Sequence, residues 1–285
     1  MTAVPRLAVA GLARSFGGLK AVDGVSFDLA PGETIAVVGP NGAGKSTLFQ
    51  LVNGVISADA GSARLDGTEL IGLEPEAVAA LGVGRTFQTS RVFPALSIWD
   101  SVRVGQTPAL IGGGRHGRRR DPVTELLAAI GPSRLGGRRG DRRMLDEKAE
   151  AVLRLFGDRL WPRREDRADS LSYANRRRLE IARALVGEPL LLLLDEPTAG
   201  MNPTETKELA ELIGRITEER PSMSTILVEH KLDVVRNLAR RVVVMDMGRV
   251  LVEGPPAEVL ADLRVIEAYL GKRGAEEARA MGLAP

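Results

Sequence analysis

Cysteine is absent from the 285-residue chain, which excludes disulfides, iron–sulfur clusters and thiolate zinc sites. Histidine occurs twice, as His116 and His230, too few and too far apart to build a metal centre on their own. Aromatic residues make up 4% of the chain, a poor supply for a surface that stacks single-stranded bases. No apolar run approaches the roughly 18–20 residues of a membrane span. The N-terminus lacks a basic head followed by an apolar block of signal-peptide length. The expectation is a cytoplasmic chain whose membrane contact goes through partners.

Net charge is only +2, but it is unevenly spread. Between Gly112 and Arg143 nine arginines face three acids, about +6 for that stretch and about −4 for the remainder. One segment is basic, and the body is not a nucleic-acid platform. The Gly/Arg texture of 112–143 reads as a flexible loop interrupted by a short helix.

The most informative stretch is Gly39-Pro40-Asn41-Gly42-Ala43-Gly44-Lys45-Ser46-Thr47, a G-x-x-x-x-G-K-[ST] phosphate loop. Thr34 to Val38 before it is short, apolar and β-branched, as a buried parallel strand requires. Thr47 to Val52 after it has no helix breaker. Glycines let backbone N–H groups close around anionic oxygens, and the helix N-terminus adds its positive end. Lys45 supplies a point charge for β- and γ-phosphates, and Ser46 offers a hydroxyl to Mg²⁺. The expectation from this loop is a bound nucleotide with Mg²⁺.

Strands are expected at Arg6–Ala10, Gly24–Leu29, Gly61–Leu65, Leu190–Leu194 and Thr225–Val228, with a hairpin over Arg241–Val252. Helices are expected at Pro75–Leu81, Ser97–Val104, Val123–Ile130, Glu147–Phe156, Arg176–Val186, Thr204–Glu219 and Ala257–Leu270. Phe16 is open to two readings: it stacks on a purine with Val22 packed beside it, or it fills the core at a strand end. In open parallel sheets ligands gather beyond the carboxyl ends of strands. Two more strands end there in polar groups, Asp195-Glu196 and His230. Asp195 suits a second metal-holding carboxylate. Glu196, one residue on, points elsewhere and can polarise a water. Adjacent carboxylates after five leucines are costly unless paired or metal-bound. His230 can hydrogen-bond a γ-phosphate, and the Gln88 amide can reach Mg²⁺ or water.

Taken together, Gly39–Thr47, Gln88, Leu171-Ser172-Tyr173-Ala174-Asn175, Leu192–Glu196, Asn202 and His230 resemble the nucleotide-binding subunit of ATP-binding cassette (ABC) transporters over nearly the whole chain. Phrases such as Phe16–Val22, Arg85–Gln88, Leu179–Leu185, Ala199–Pro203 and Val265–Gly271 are most similar to the ATPases of branched-chain amino acid importers. The resemblance implies an α/β fold: a RecA-like P-loop NTPase core (1–89 and 184–254) with an antiparallel β layer. It also implies a helical subdomain (90–183) carrying the 112–143 insert, a closing helix (255–270) and a polar tail (271–285). It implies ATP as the nucleotide, an adenine-stacking aromatic at Phe16, metal ligation by Ser46, Gln88 and Asp195, Glu196 as catalytic base and His230 as switch histidine. Ser172 would meet the nucleotide bound by an opposite subunit.

The implied partners are a second cassette, two membrane permease subunits and, through the complex, a solute-binding protein. The implied place is the inner face of the cell membrane. Cassettes for another solute such as urea, or for lipid export, share this chemistry. Soluble cassettes acting on nucleic acid usually pair two cassettes in one chain or carry coiled coils or zinc cysteines, so no nucleic-acid partner is expected. A regulatory ATP sensor with little turnover would not need an intact Glu196 and His230.

Two departures from the importer pattern are visible. Importers of this type usually carry Leu-Ser-Tyr-Gly-Gln, where this chain has Ala174 and Asn175. Alanine adds a methyl that requires a negative φ, and asparagine shortens the amide arm. The Gly/Arg insert is the second departure.

Overall fold

Alternation of apolar and polar residues builds the first layer. In β1 (Leu7–Phe16), Leu7, Val9 and Leu12 are buried; in β2 (Leu19–Leu29), Val22, Val25, Phe27 and Leu29 are. A period of two accounts for Leu7 with Val9 and for Val25, Phe27 and Leu29, and register shifts in the β1–β2 pairing after Val9 and after Leu12 change the phase that leaves Leu12 and Val22 buried as well; each fully buried side chain of this size contributes about 1.5–3 kcal/mol. The two strands form an antiparallel hairpin running from Leu7↔Leu29 to Phe16↔Leu19 around Gly17-Gly18. They are longer than the expected Arg6–Ala10 and Gly24–Leu29, because the pairing continues out to Phe16↔Leu19.

The computed structural model describes residues 4–86, 92–106 and 139–269. Gln88, the helix expected over Val123–Ile130, residues 112–138 of the insert and the tail from Gly271 lie outside them. The chain divides into two compact units, residues 1–73 with 213–285, and residues 74–212.

In the first unit the antiparallel layer has the order β2-β1-β4-β5, with β4 at Ala60–Leu65 and β5 at Thr68–Glu69. Beside it, β3 (Thr34–Val38) lies between β8 (Ser224–Val228) and β9 (Arg241–Asp246), all parallel. Every residue of β3 and β8 is buried. A strand covered on both faces has no polar side to alternate. β10 (Arg249–Gly254) pairs antiparallel with β9 across Met247-Gly248, both at positive φ, as a tight hairpin requires.

The expected single closing helix over Ala257–Leu270 is two short ones, Pro256–Val259 and residues 263–269. Asp262 interrupts it. Its carboxylate accepts from the Arg264 amide at 2.8 Å, and a side chain competing for backbone donors favours a helix start over a helix interior.

In the second unit β6 (Val83–Arg85) pairs parallel with β7 (Leu191–Asp195). The helices Ile98–Val104, Arg139–Leu155 and Tyr173–Leu185 pack together, and Ile98, Val102, Leu153 and Leu179 on them are buried. The Arg139–Leu155 helix begins eight residues before the expected Glu147, so the end of the presumed loop at 139–143 is helical. Arginine and glutamate are good helix formers, and the Arg143–Glu147 and Arg154–Glu150 pairs lie at helical i,i+4 spacing. The Tyr173–Leu185 helix likewise starts three residues before the expected Arg176, at its Ser172 cap.

Candidate functional site

In the first unit, β3 delivers the chain into the phosphate loop. Gly39, Gly42 and Gly44 have φ of 149°, 82° and 100°. An ideal Cβ on Gly39 would lie 2.1 Å from the Met245 carbonyl oxygen, and one on Gly44 2.2 Å from that of Ala21. No other residue fits either place. The helix Lys45–Val52 starts at Gly44 with no side-chain cap, so its first amides have no intrahelical acceptor and face outward for an anion. Lys45 is 6% exposed, and its ammonium donates to the carbonyls of Gly39 (2.7 Å) and Pro40 (2.9 Å). The loop's own oxygens thus hold the charge in place. Asn41, Gly42 and Ser46 are exposed; Ala43 is buried.

Phe16 is 46% exposed at the end of β1, with the Arg14 guanidinium 5.0 Å from its ring centroid. That removes the core-filling alternative. Val22 is buried. At the end of β8, Glu229 is buried and its carboxylate accepts from the amides of His230 (3.0 Å) and Lys231 (3.4 Å). This turn sets the backbone direction at His230, whose side chain is exposed.

In the second unit, β7 ends in Asp195, 2% exposed. Its amide donates to the Thr86 hydroxyl at 3.1 Å, and Arg85 Nη2 lies 3.4 Å from Oδ2. Oδ1 is buried with no hydrogen-bond partner among the described residues. Burial pushes the Asp195 carboxyl above the usual carboxylate range, and the adjacent Glu196 adds to this, against the opposing pull of Arg85 and Arg177. A buried, unpartnered carboxylate oxygen suits a hard cation. Among the described residues no group of three or more His, Asp and Glu forms a metal cluster. Glu196 is half-buried at φ +47°, a left-handed conformation uncommon for a residue with a Cβ.

The stretch Leu171–Asn175 opens the Tyr173–Leu185 helix. Leu171 is buried, Ser172 and Tyr173 are exposed, and the Ser172 hydroxyl accepts from the Asn175 amide at 3.4 Å. Arg176 donates to the carbonyls of Leu171 (3.0 Å) and Asp169 (2.7 Å), fixing the approach to that helix start. Arg177 donates to the Tyr173 hydroxyl, and the Asn175 side chain accepts from Arg178 at 3.1 Å. Ala174 lies in the helix at negative φ, and its methyl is 3% exposed. The added methyl is therefore buried.

One contact was not readable from the sequence, although its tyrosine lies in the importer-like phrase Val265–Gly271. The Gly39 N–H donates to the hydroxyl of Tyr269 at 2.7 Å.

The family model described as "ABC transporter" matches residues 22–199, and that described as "Branched-chain amino acid ATP-binding cassette transporter" matches residues 249–275. The chain is 37% identical to the high-affinity branched-chain amino acid transport ATP-binding protein LivG of Salmonella typhimurium over 268 residues, 94% of this chain and 98% of that protein. It is 35% identical to the corresponding protein BraF of Pseudomonas aeruginosa, with the same coverage of both chains. A crystal structure of a nucleotide-free ATP-binding cassette from an ABC transporter superposes with a TM-score of 0.76 at 27% identity, covering 94% of this chain and all of that one.

Proposed function

The chain belongs to the ATP-binding cassette (ABC) transporter family, and on that premise we propose that it is the ATP-hydrolysing subunit of an importer for branched-chain amino acids. The observation that carries the solute class is the end-to-end likeness to LivG and BraF, together with the match of residues 249–275 to a model specific to branched-chain amino acid cassettes. The same likeness supports a second cassette, two membrane permease subunits and a solute-binding protein as partners, and a position beneath the membrane. No helix among the described residues is long and apolar enough to cross a membrane itself.

ATP enters the loop Gly39–Thr47. Lys45 exchanges two carbonyl acceptors for phosphate oxygens, and charge-assisted bonds to phosphate are the stronger kind. Phe16, exposed and backed by Arg14, offers a ring face to the adenine. Ser46, Gln88 and Asp195 would hold Mg²⁺, and the unpartnered Asp195 Oδ1 fits that role. The ion, when bound, neutralises charge on the β- and γ-phosphates.

Glu196 takes a proton from the attacking water as its oxygen bonds to the γ-phosphorus. The bond to the β–γ bridging oxygen then breaks, leaving ADP and phosphate. His230 hydrogen-bonds the γ-phosphate. Ser172 and the amides at the start of the Tyr173–Leu185 helix serve the nucleotide bound by the opposite cassette. The closed pair is favoured by γ-phosphate contacts and released once they are gone.

The direct test is Lys45→Ala. Losing one charge-assisted phosphate contact weakens ATP binding by about 10- to 100-fold. Equal ATP affinity in parent and variant, by equilibrium dialysis, would contradict the assignment of the loop.

A further inference from the structure

We propose that Tyr269 is a positioning residue for the phosphate loop, through which the C-terminal segment sets the readiness of that loop for nucleotide. The proposal rests on the reading of Gly39–Thr47 as the ATP site.

The argument starts at the end of β3. Its pairing with β8 runs to Val37↔Val228, and its pairing with β9 to Val38↔Val244. Gly39 is the first residue beyond both ladders, and it is buried. A buried N–H needs an acceptor, and the sheet no longer supplies one. The acceptor is a phenol oxygen 230 residues further along the chain, at 2.7 Å. The next polar group of the same residue, the Gly39 carbonyl, accepts from the Lys45 ammonium at 2.7 Å. One residue therefore links Tyr269 on its amide side to the phosphate-binding charge on its carbonyl side.

The segment that carries Tyr269 is anchored. Val259 and Val265 are buried, at 3% exposure each, and the Asp262 carboxylate fixes the start of the 263–269 helix. Tyr269 is 37% exposed, while its hydroxyl reaches the loop at Gly39. Burial raises the phenol above its ordinary range, which keeps it neutral at physiological pH with a lone pair for Gly39. Gly39 has no freedom to compensate by side chain, since the Met245 carbonyl occupies the place of a Cβ.

The bond holds the Val38-Gly39 peptide at the entry of the loop, one residue's backbone rotation away from the Gly39 carbonyl that accepts from Lys45. Without it, the loop samples entries that are not ready for phosphate. Apparent affinity falls by the fraction of loops in the competent state, and the chemical step at saturating ATP is spared.

The test is Tyr269→Phe in the full chain, which removes one oxygen and keeps the ring. ATP dissociation constants come from equilibrium dialysis, KM and kcat from steady-state hydrolysis, and apo stability from thermal melts. The expected result is a rise of about three- to tenfold in both Kd and KM for ATP, with kcat at saturation within about twofold of the parent. Tyr269→Ala shows at least as large a rise in Kd. Unchanged Kd and KM in Tyr269→Phe overturn the proposal, and so does a lowered melting temperature of the nucleotide-free chain without a change in Kd. A parent chain that binds no ATP removes the functional reading and this proposal with it. A parent that binds normally beside an equally tight Tyr269→Phe chain removes the proposal alone.

Discussion

Glu196 combines the proposed general base with backbone strain, and the two separate by substitution. Its φ is +47°. For a residue with a Cβ, the left-handed conformation costs about 1–2 kcal/mol. Glu196→Ala and Glu196→Gly both remove the carboxylate and every contact it makes, so their difference reports the backbone alone. Glycine relieves the Cβ clash but gives the unfolded chain more freedom, worth about 0.4–1 kcal/mol in the other direction. The net expectation is that the Gly variant is more stable than the Ala variant by about 0.5–1 kcal/mol. In a chain of 285 residues that is a difference of about 1–2 °C in melting temperature. Thermal melts and urea titrations of the nucleotide-free chains read it. Neither variant hydrolyses ATP appreciably, since a positioned base contributes about 10²–10⁴-fold. Glu196→Gln, which keeps the shape of the side chain, binds ATP, stops turnover and accumulates an ATP-bound pair of cassettes. An Ala variant as stable as the Gly variant refutes the strain argument. A Gln variant that turns over at the parent rate refutes the base.

Two further outcomes follow from the second unit. Ala174→Gly loses a buried methyl and a good helix former, and destabilises the chain by about 1–2 kcal/mol in denaturant titrations; a variant as stable as the parent would show that the methyl is not packed. Phe93, 44% exposed with the Arg183 guanidinium 5.3 Å from its ring centroid, stands in the apolar stretch Val92–Leu96, the surface that the resemblance to importer cassettes implies for docking a membrane subunit. Phe93→Asp lowers recovery of the cassette with those subunits at least tenfold while ATP affinity stays at the parent value, because an apolar interface centre tolerates an unpaired charge poorly. Full recovery of the complex would remove that surface from the interface.

What was legible in the sequence was local. The β-branched run before Gly39 fixes a buried strand, the glycines fix the loop, and Met247-Gly248 fixes the hairpin, each through chemistry contained in a few neighbouring residues. The helix start at Arg139 was hidden because a Gly/Arg-rich composition suggests a loop, whereas the pairing of Arg143 with Glu147 acts at helical spacing. The break at Asp262 was hidden for a related reason, since its carboxylate competes with the helix only through a particular backbone geometry. Lys45, Asp195, Glu196 and His230 were legible as polar groups that follow strand ends, and the chain does place Asp195 at the end of β7 and His230 just beyond β8. Tyr269 was not, because its contact with Gly39 joins positions 230 residues apart and only the folded chain brings them together. The unpartnered Oδ1 of Asp195 and the left-handed backbone at Glu196 are also properties of the fold, with no signature in the residue order.

The central claim is that hydrolysis by this chain powers uptake of branched-chain amino acids. Its most direct measurement is uptake of labelled leucine into membrane vesicles that hold the complete complex: two permease subunits, their solute-binding protein, and this chain with its partner cassette. The account predicts uptake that requires ATP, is competed by isoleucine and valine, and is lost when this chain carries Glu196→Gln. No uptake of any aliphatic amino acid, with normal ATP-dependent uptake of urea or another solute, would contradict the solute assignment.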